Sequence, residues 1–137
     1  MHMNIAEPRT RQTKYCVQIE EIIKRLGHAS NAQILIELNK IYPGVSTTTV
    51  HRATARLAAR GELGVGPVDL GGAMRYDANV TPHDHFLCVR CGLLRDADIA
   101  RHVAPLLEDT IEGCRVSGRI TISGTCKACN TKGRFYA

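Results

Sequence analysis

A chain of 137 residues suffices for one ordinary domain or two small ones, and a hydrophobic fraction of 44% excludes wholesale disorder. Aromatics are only 4% with no Trp, so the core must come from Ile, Leu, Val and Ala, and small domains of that kind need a staple. The net charge of +5 is compatible with an anionic partner. No stretch is apolar and long enough to span a bilayer, and the N-terminus lacks the apolar core of a signal peptide, so a cytoplasmic protein without a membrane partner is expected.

Residues 15–26 place Tyr15, Ile19, Ile22, Ile23 and Leu26 on one helical stripe, with Gly27 as the stop. A second helix is expected over 31–41, where Ser30 and Gln33 form a capping-box pattern and Ile34, Leu35, Leu38 and Ile41 supply the buried face. Pro43-Gly44 ends it. The third helix is expected from Thr47 to Arg60 behind a Ser46 cap, with Val50, Ala53 and Leu57 facing inward. Arg52, Arg56 and Arg60 recur every four residues on another face, and no acidic residue interrupts them. Three short helices with a basic third one match a helix-turn-helix.

Leu63–Val68 and Ala73–Tyr76 then read as a β-hairpin around Asp69-Leu70-Gly71-Gly72, the wing of a winged helix. Residues 79–82 read as a hinge. Beyond it, strands are expected at Phe86–Val89, Gly92–Ala97 and Arg115–Ser123, with a helix over His102–Ile111 whose start is blurred by Pro105. The fold class is therefore α+β: a winged helix-turn-helix over 1–78, then a small α/β domain over 83–137.

Six cysteines in a reducing compartment are not read as structural disulfides. Four form two C-x-x-C knuckles, Cys88/Cys91 and Cys126/Cys129, and each knuckle presents two thiolates at the separation that tetrahedral zinc requires. Arg90 and Lys127 favour the thiolate form. A closed four-cysteine zinc site leaves no position for substrate, so its role is structural. Redox-active or incidental dithiols are the alternative, and two pairs in one short domain argue against them. Cys16 and Cys114 are read as buried small hydrophobes.

His83-Asp84-His85 precedes the first knuckle, and on an extended segment His83 and His85 share a face and can grip one ion. Asp77 at the end of the wing, Asp96 on the following strand and His28 in the turn after the first helix are further donors. Mixed imidazole and carboxylate ligands suit iron, manganese or zinc, and spacing does not choose among them. Taken singly, each residue also has an ordinary structural reading; only the H-x-H pair rises above it.

Several segments together resemble the ferric uptake regulator family. They are R-x-T-K-Y before the first helix, H-A-S-N-A-Q-I, V-S-T-T-T-V-H-R, R-Y-D, H-D-H-F-L-C-V-R-C-G and G-T-C-K-A-C. The resemblance runs from about residue 9 to 130. It implies a homodimer that binds double-stranded operator DNA, with 83–137 as the dimerisation domain. It places Cys88, Cys91, Cys126 and Cys129 on the structural zinc ligands. His28, Asp77, His83, His85 and Asp96 fall on a regulatory Fe2+ or Mn2+ site that joins the two domains and sets their angle.

Within the family the chain looks most like the peroxide repressor branch, because Asp77 and Asp96 stand where the iron-responsive branch more often carries Glu. That branch implies oxidation of His28 or His83 by peroxide at bound ferrous iron, followed by release of DNA. The chain departs from the family pattern. His51 replaces a usual Tyr, no histidine stands near Gly118 for a further metal site, and Asp84 is left without such a site to serve.

If the third helix enters the major groove, Arg52 and Arg56 contact bases or phosphates, with Thr47, Thr48, Thr49 and His51 near its N-terminal end. Arg9, Arg11 and Lys14 would lie near the flanking backbone. A solvated basic face is the alternative, and the wing and the resemblance outweigh it. The functional expectation is a metal-dependent repressor that senses peroxide. The alternatives are an iron-, manganese- or zinc-responsive regulator, or a zinc-ribbon protein-interaction module. A zinc enzyme is disfavoured, since neither H-x-E nor H-E-x-x-H is present.

Overall fold

The computed structural model describes residues 11–132, so Arg9 lies outside the described residues, as do the side chains of 11–13 and 132. In chain order the elements are α1 (Arg11–Leu26), β1 (His28–Ser30), α2 (Asn31–Ile41), α3 (Thr47–Ala59), β2 (Gly64–Gly66), β3 (Arg75–Asp77), β4 (Asp84–Cys88), β5 (Leu94–Ala97), α4 (Ala100–Thr110), β6 (Thr121–Gly124) and α5 (Lys127–Lys132). They form two compact units. The first runs to Gly66 and includes Met74–Val80; the second comprises Pro67–Ala73 and the chain from Thr81 onward. No described helix is long and apolar enough to cross a membrane.

In the first unit α1, α2 and α3 close over a core of Cys16, Ile19, Ile22, Ile23, Ala29, Ile34, Leu38, Val50, Ala53 and Leu57. Leu26 and Ile41, expected in that core, are 41% and 46% exposed. Each is the last residue of its helix. Gly27 ends α1 at φ +87°, donating its N–H to the Ile23 carbonyl at 2.7 Å.

The capping box of α2 is present: Ser30 Oγ accepts the Gln33 N–H, and Gln33 Oε1 accepts the Ser30 N–H. At the other end of α2, Asn39 Oδ1 accepts the N–H groups of Gly44 (2.9 Å) and Val45 (3.1 Å), fixing the turn into α3. Ser46 caps α3 by accepting the Thr49 N–H. The fully buried Thr54 hydroxyl donates to Asn31 Oδ1 at 2.9 Å, tying α3 to the start of α2.

His28 stands on a short strand rather than in a turn. β1 and β2 flank β3, both antiparallel to it, in a three-stranded sheet of order β1-β3-β2. Three helices and this sheet make a winged helix. The wing strands are shorter than expected. Asp69 Oδ1 accepts the N–H groups of Gly71 and Ala73 and shapes the loop between them.

The second unit is a sheet of order β5-β4-β6, with β4 antiparallel to β5 and parallel to β6. The Phe86 ring lies over Gly124, where a Cβ would come within 3.2 Å of it. The strand expected from Arg115 forms only at Thr121–Gly124. Gly118 and Arg119 take positive φ, which breaks an extended run. The expected helix is present as α4, two residues earlier and with Pro105 inside it. α4 buries none of its residues; Asp84, His85, Cys88, Leu94 and Cys126 are the buried residues described in this unit.

Thr54→Val removes the donor to Asn31 and leaves a part-buried amide oxygen without it. Urea unfolding of the first unit is expected to shift by about 1–3 kcal/mol toward the unfolded state. An unchanged midpoint would show that the bond contributes nothing.

Candidate metal centres and nucleic-acid face

β4 ends in Cys88, and a tight turn returns the chain through Cys91 to β5. Gly92, at φ +83°, donates its N–H to the Cys88 carbonyl at 2.9 Å, and the Cys88 N–H reaches the Leu93 carbonyl at 2.8 Å. Cys126 precedes α5 and Cys129 lies on it. The four sulfurs lie within 4.8 Å of one another, with Cys91 Sγ and Cys126 Sγ 3.8 Å apart. Zinc–sulfur bonds of ~2.3 Å in a tetrahedron put sulfurs about 3.8 Å apart, so the donor set fits a zinc ion.

The N–H groups of Cys91, Cys126 and Arg90 all point at Cys88 Sγ, at 3.4, 3.3 and 3.4 Å. These donors, that of Cys91 foremost, bring the Cys88 thiol down to about 6. Cys129 is pushed up to about 12 by the adjacent Cys126 sulfur and by burial. Without a cation the thiolate is favoured at Cys88 and disfavoured at Cys129, and a divalent ion would favour it at both.

The imidazole and carboxylate residues lie in both units. In the first, His28 on β1 is the register partner of Asp77 on β3, and its Nε2 lies 3.1 Å from Asp77 Oδ2. Asp77 Oδ1 accepts the Asn79 N–H at 2.9 Å, which holds the carboxylate in place.

In the second unit His85 on β4 is the register partner of Asp96 on β5. The His83 and His85 rings are 4.5 Å apart, and their Nε2 atoms lie 3.2 and 3.5 Å from Asp96 Oδ1. His83 Nδ1 lies 2.6 Å from the Thr81 carbonyl. A carbonyl only accepts, so the hydrogen is on Nδ1 and Nε2 presents its lone pair toward Asp96, unless the ring is cationic. Two imidazole nitrogens and a carboxylate oxygen converging this way require a proton or a metal cation among them. The Thr81 carbonyl has no sequence signature, since any residue there supplies it.

The expected nucleic-acid face is largely open. Thr47, Thr48, His51, Arg52 and Arg56 are exposed on α3. Thr49 is half-buried, and its hydroxyl lies 2.9 Å from Ser46 Oγ, within the helix cap. Lys14 places its ammonium 4.6 Å from the centre of the Tyr42 ring. Arg60 has Glu62 at 3.8 Å, which partly offsets its charge. Cys16 is buried as expected, and burial raises its thiol. Cys114 is exposed, contrary to expectation, in the irregular segment between α4 and β6.

Residues 7–107 match the ferric uptake regulator family. Among solved structures the chain is similar to a Campylobacter jejuni peroxide stress regulator at 25% identity and TM-score 0.66, covering 87% of this chain and 91% of that one. It is similar to the Helicobacter pylori ferric uptake regulator, described with three functional metal binding sites, at 21% identity and TM-score 0.69, covering 85% and 80%. The ferric uptake regulator of Francisella tularensis, solved with iron, matches at 20% identity and TM-score 0.68, covering 93% and 99%.

Iodoacetamide applied to the folded, zinc-loaded protein is expected to label Cys114 quickly and Cys16 hardly at all. Added Zn2+ is expected to protect Cys88, Cys91, Cys126 and Cys129 while leaving Cys114 reactive. Peptide mass spectrometry reads both results, and equal labelling of the four with and without Zn2+ would remove the metal cluster.

Proposed function

The chain belongs to the ferric uptake regulator family, and on that premise we propose a cytoplasmic, homodimeric, metal-dependent repressor that reads operator DNA and responds to peroxide. Members of the family are metal-responsive transcription regulators rather than enzymes. The winged helix, with a basic α3 carrying no acidic residue, supports DNA reading through Thr47, Thr48, Thr49, His51, Arg52 and Arg56. Arg52 and Arg56 take the base or phosphate contacts. α4 supports dimerisation, because it leaves Leu106 72% exposed beside the exposed Leu107 and Ile111.

Cys88, Cys91, Cys126 and Cys129 hold a structural zinc ion. The regulatory ion, Fe2+ or Mn2+, takes His28, Asp77, His83, His85 and Asp96 as ligands. The observation that carries this reading is the convergence of His83 and His85 on one oxygen of Asp96, with the His83 hydrogen held at Nδ1 by Thr81. The peroxide reading rests on aspartates at 77 and 96 and on the likeness to the C. jejuni peroxide stress regulator. Ferrous iron there would lend an electron to peroxide and regain it as the ring is oxidised, so that one peroxide oxygen would enter His28 or His83 and the other would leave as water.

Peptide mass spectrometry of ferrous-loaded protein after brief peroxide exposure tests the reading, with a manganese-loaded control. One added oxygen on the peptide holding His28 or His83, with iron alone, is the expected result. No oxidation in iron-loaded protein moves the reading to a regulator responsive to iron, manganese or zinc itself. His83→Ala is expected to abolish metal-dependent operator affinity while leaving a folded, zinc-containing dimer. Retained metal dependence in that variant would overturn the ligand assignment. Cys88→Ser is expected instead to lose zinc and the dimer, as read by metal analysis and sedimentation; a stable zinc-free dimer would overturn the structural site.

A further inference from the structure

Asp84 stands between the two imidazoles in sequence, and strand alternation turns it to the opposite face of β4. Its carboxylate is buried, with the residue 5% exposed, and the hydrogen bonds it accepts come from backbone. Oδ2 accepts the N–H groups of Ile99 (3.1 Å) and Ala100 (2.8 Å), and Oδ1 accepts that of Ile120 (2.8 Å). Ile99 and Ala100 open α4, whose own N-cap residue makes no side-chain bond, so a carboxylate from a neighbouring strand caps this helix. Ile120 is gripped twice, since its carbonyl also accepts the His85 N–H at 2.9 Å. One carboxylate thus fastens the segment between His83 and His85 to α4 and to the chain entering β6.

We propose that Asp84 is a positioning residue for the metal centre, holding His83 and His85 aimed at Asp96 by clamping β4 to the start of α4 and to Ile120. The inference rests on the reading of His83 and His85 as metal ligands. Asp84 is itself no ligand, because its oxygens already face three N–H groups on the far side of the strand. A strand free to twist at residue 84 would let the two Nε2 atoms separate.

Zinc-replete protein titrated with Co2+ tests the proposal, with affinity and the visible d–d spectrum as readouts. In Asp84→Asn an amide NH2 replaces one carboxylate oxygen and opposes one of the N–H donors. Co2+ affinity is expected to fall about tenfold or more, with a shifted band and unchanged zinc content. A lower melting temperature with unchanged Co2+ affinity and spectrum would overturn the proposal, leaving Asp84 a structural cap. Equal Co2+ binding by wild type and His83→Ala would overturn it together with the ligand assignment beneath it. Hydrogen-exchange mass spectrometry of the unmodified protein gives a second reading. Co2+ is expected to slow exchange in the peptides holding Ala100 and Ile120, because coupling between site and clamp is reciprocal. Exchange there that ignores Co2+ would overturn the clamp.

Discussion

Few apolar side chains are buried in the second unit, and four sulfur atoms gather where a core would otherwise stand. The first unit buries Ile19, Ile22, Ile23, Ile34, Leu38, Val50 and Leu57, each contributing about 1.5–3 kcal/mol when removed from water. Among the described residues of the second, Leu94 is the one buried aliphatic side chain. Its other buried residues are two cysteines, a histidine and an aspartate, none of which offers comparable hydrophobic stabilisation. Structural zinc in small peptides contributes on the order of 10–16 kcal/mol, so under the proposed reading of the four cysteines an ion there would outweigh so small a core. The position of Cys88 and Cys126 at the centre of what is buried follows from this imbalance.

Strand register does for the imidazoles and carboxylates what the knuckles do for the thiols. His28 opposes Asp77 across β1 and β3, and His85 opposes Asp96 across β4 and β5. Directly opposed Cβ atoms stand about 4.5–5.5 Å apart, which suits an imidazole and a carboxylate sharing a proton or a cation. A slip of one residue in either pair would send the donors to opposite faces. The short sheets therefore function as alignment devices more than as a core, which accounts for strands of three to five residues being enough.

What was legible in the sequence was whatever depends on local pattern. The capping box at Ser30 and Gln33, the Ser46 cap, the helical stripes and the cysteine knuckles are all written within a few residues of one another. Pairings distant in sequence were not legible from residue pattern alone. β1 escaped notice because three residues, His28-Ala29-Ser30, carry no alternation, and only β3 makes them a strand. The run Arg115–Ser123 alternates convincingly on paper, yet Gly118 and Arg119 at positive φ interrupt it. The place of the Thr49 hydroxyl beside Ser46 in the helix cap was not legible either, because the pattern does not show which way a hydroxyl turns. The exposure of Leu26 and Ile41 was invisible because periodicity marks a face but not where its partner ends, and that of Cys114 because residue type alone does not show burial.

The aspartates show why residue type alone does not settle a role. Asp69 turns its carboxylate onto N–H groups of its own loop, and Asp84 onto those of α4 and Ile120. Asp77 and Asp96 turn theirs onto imidazole nitrogens. A carboxylate surrounded by backbone N–H groups is already neutralised by fixed dipoles and has little to gain from a cation. One that faces imidazole lone pairs gains most from a cation, because the nitrogens it faces are ligands too. By that criterion Asp84 differs from its neighbours: its carboxylate is held by backbone N–H groups while the His83 and His85 nitrogens face Asp96, and under the proposal it would serve a metal centre only by keeping the two imidazoles in register.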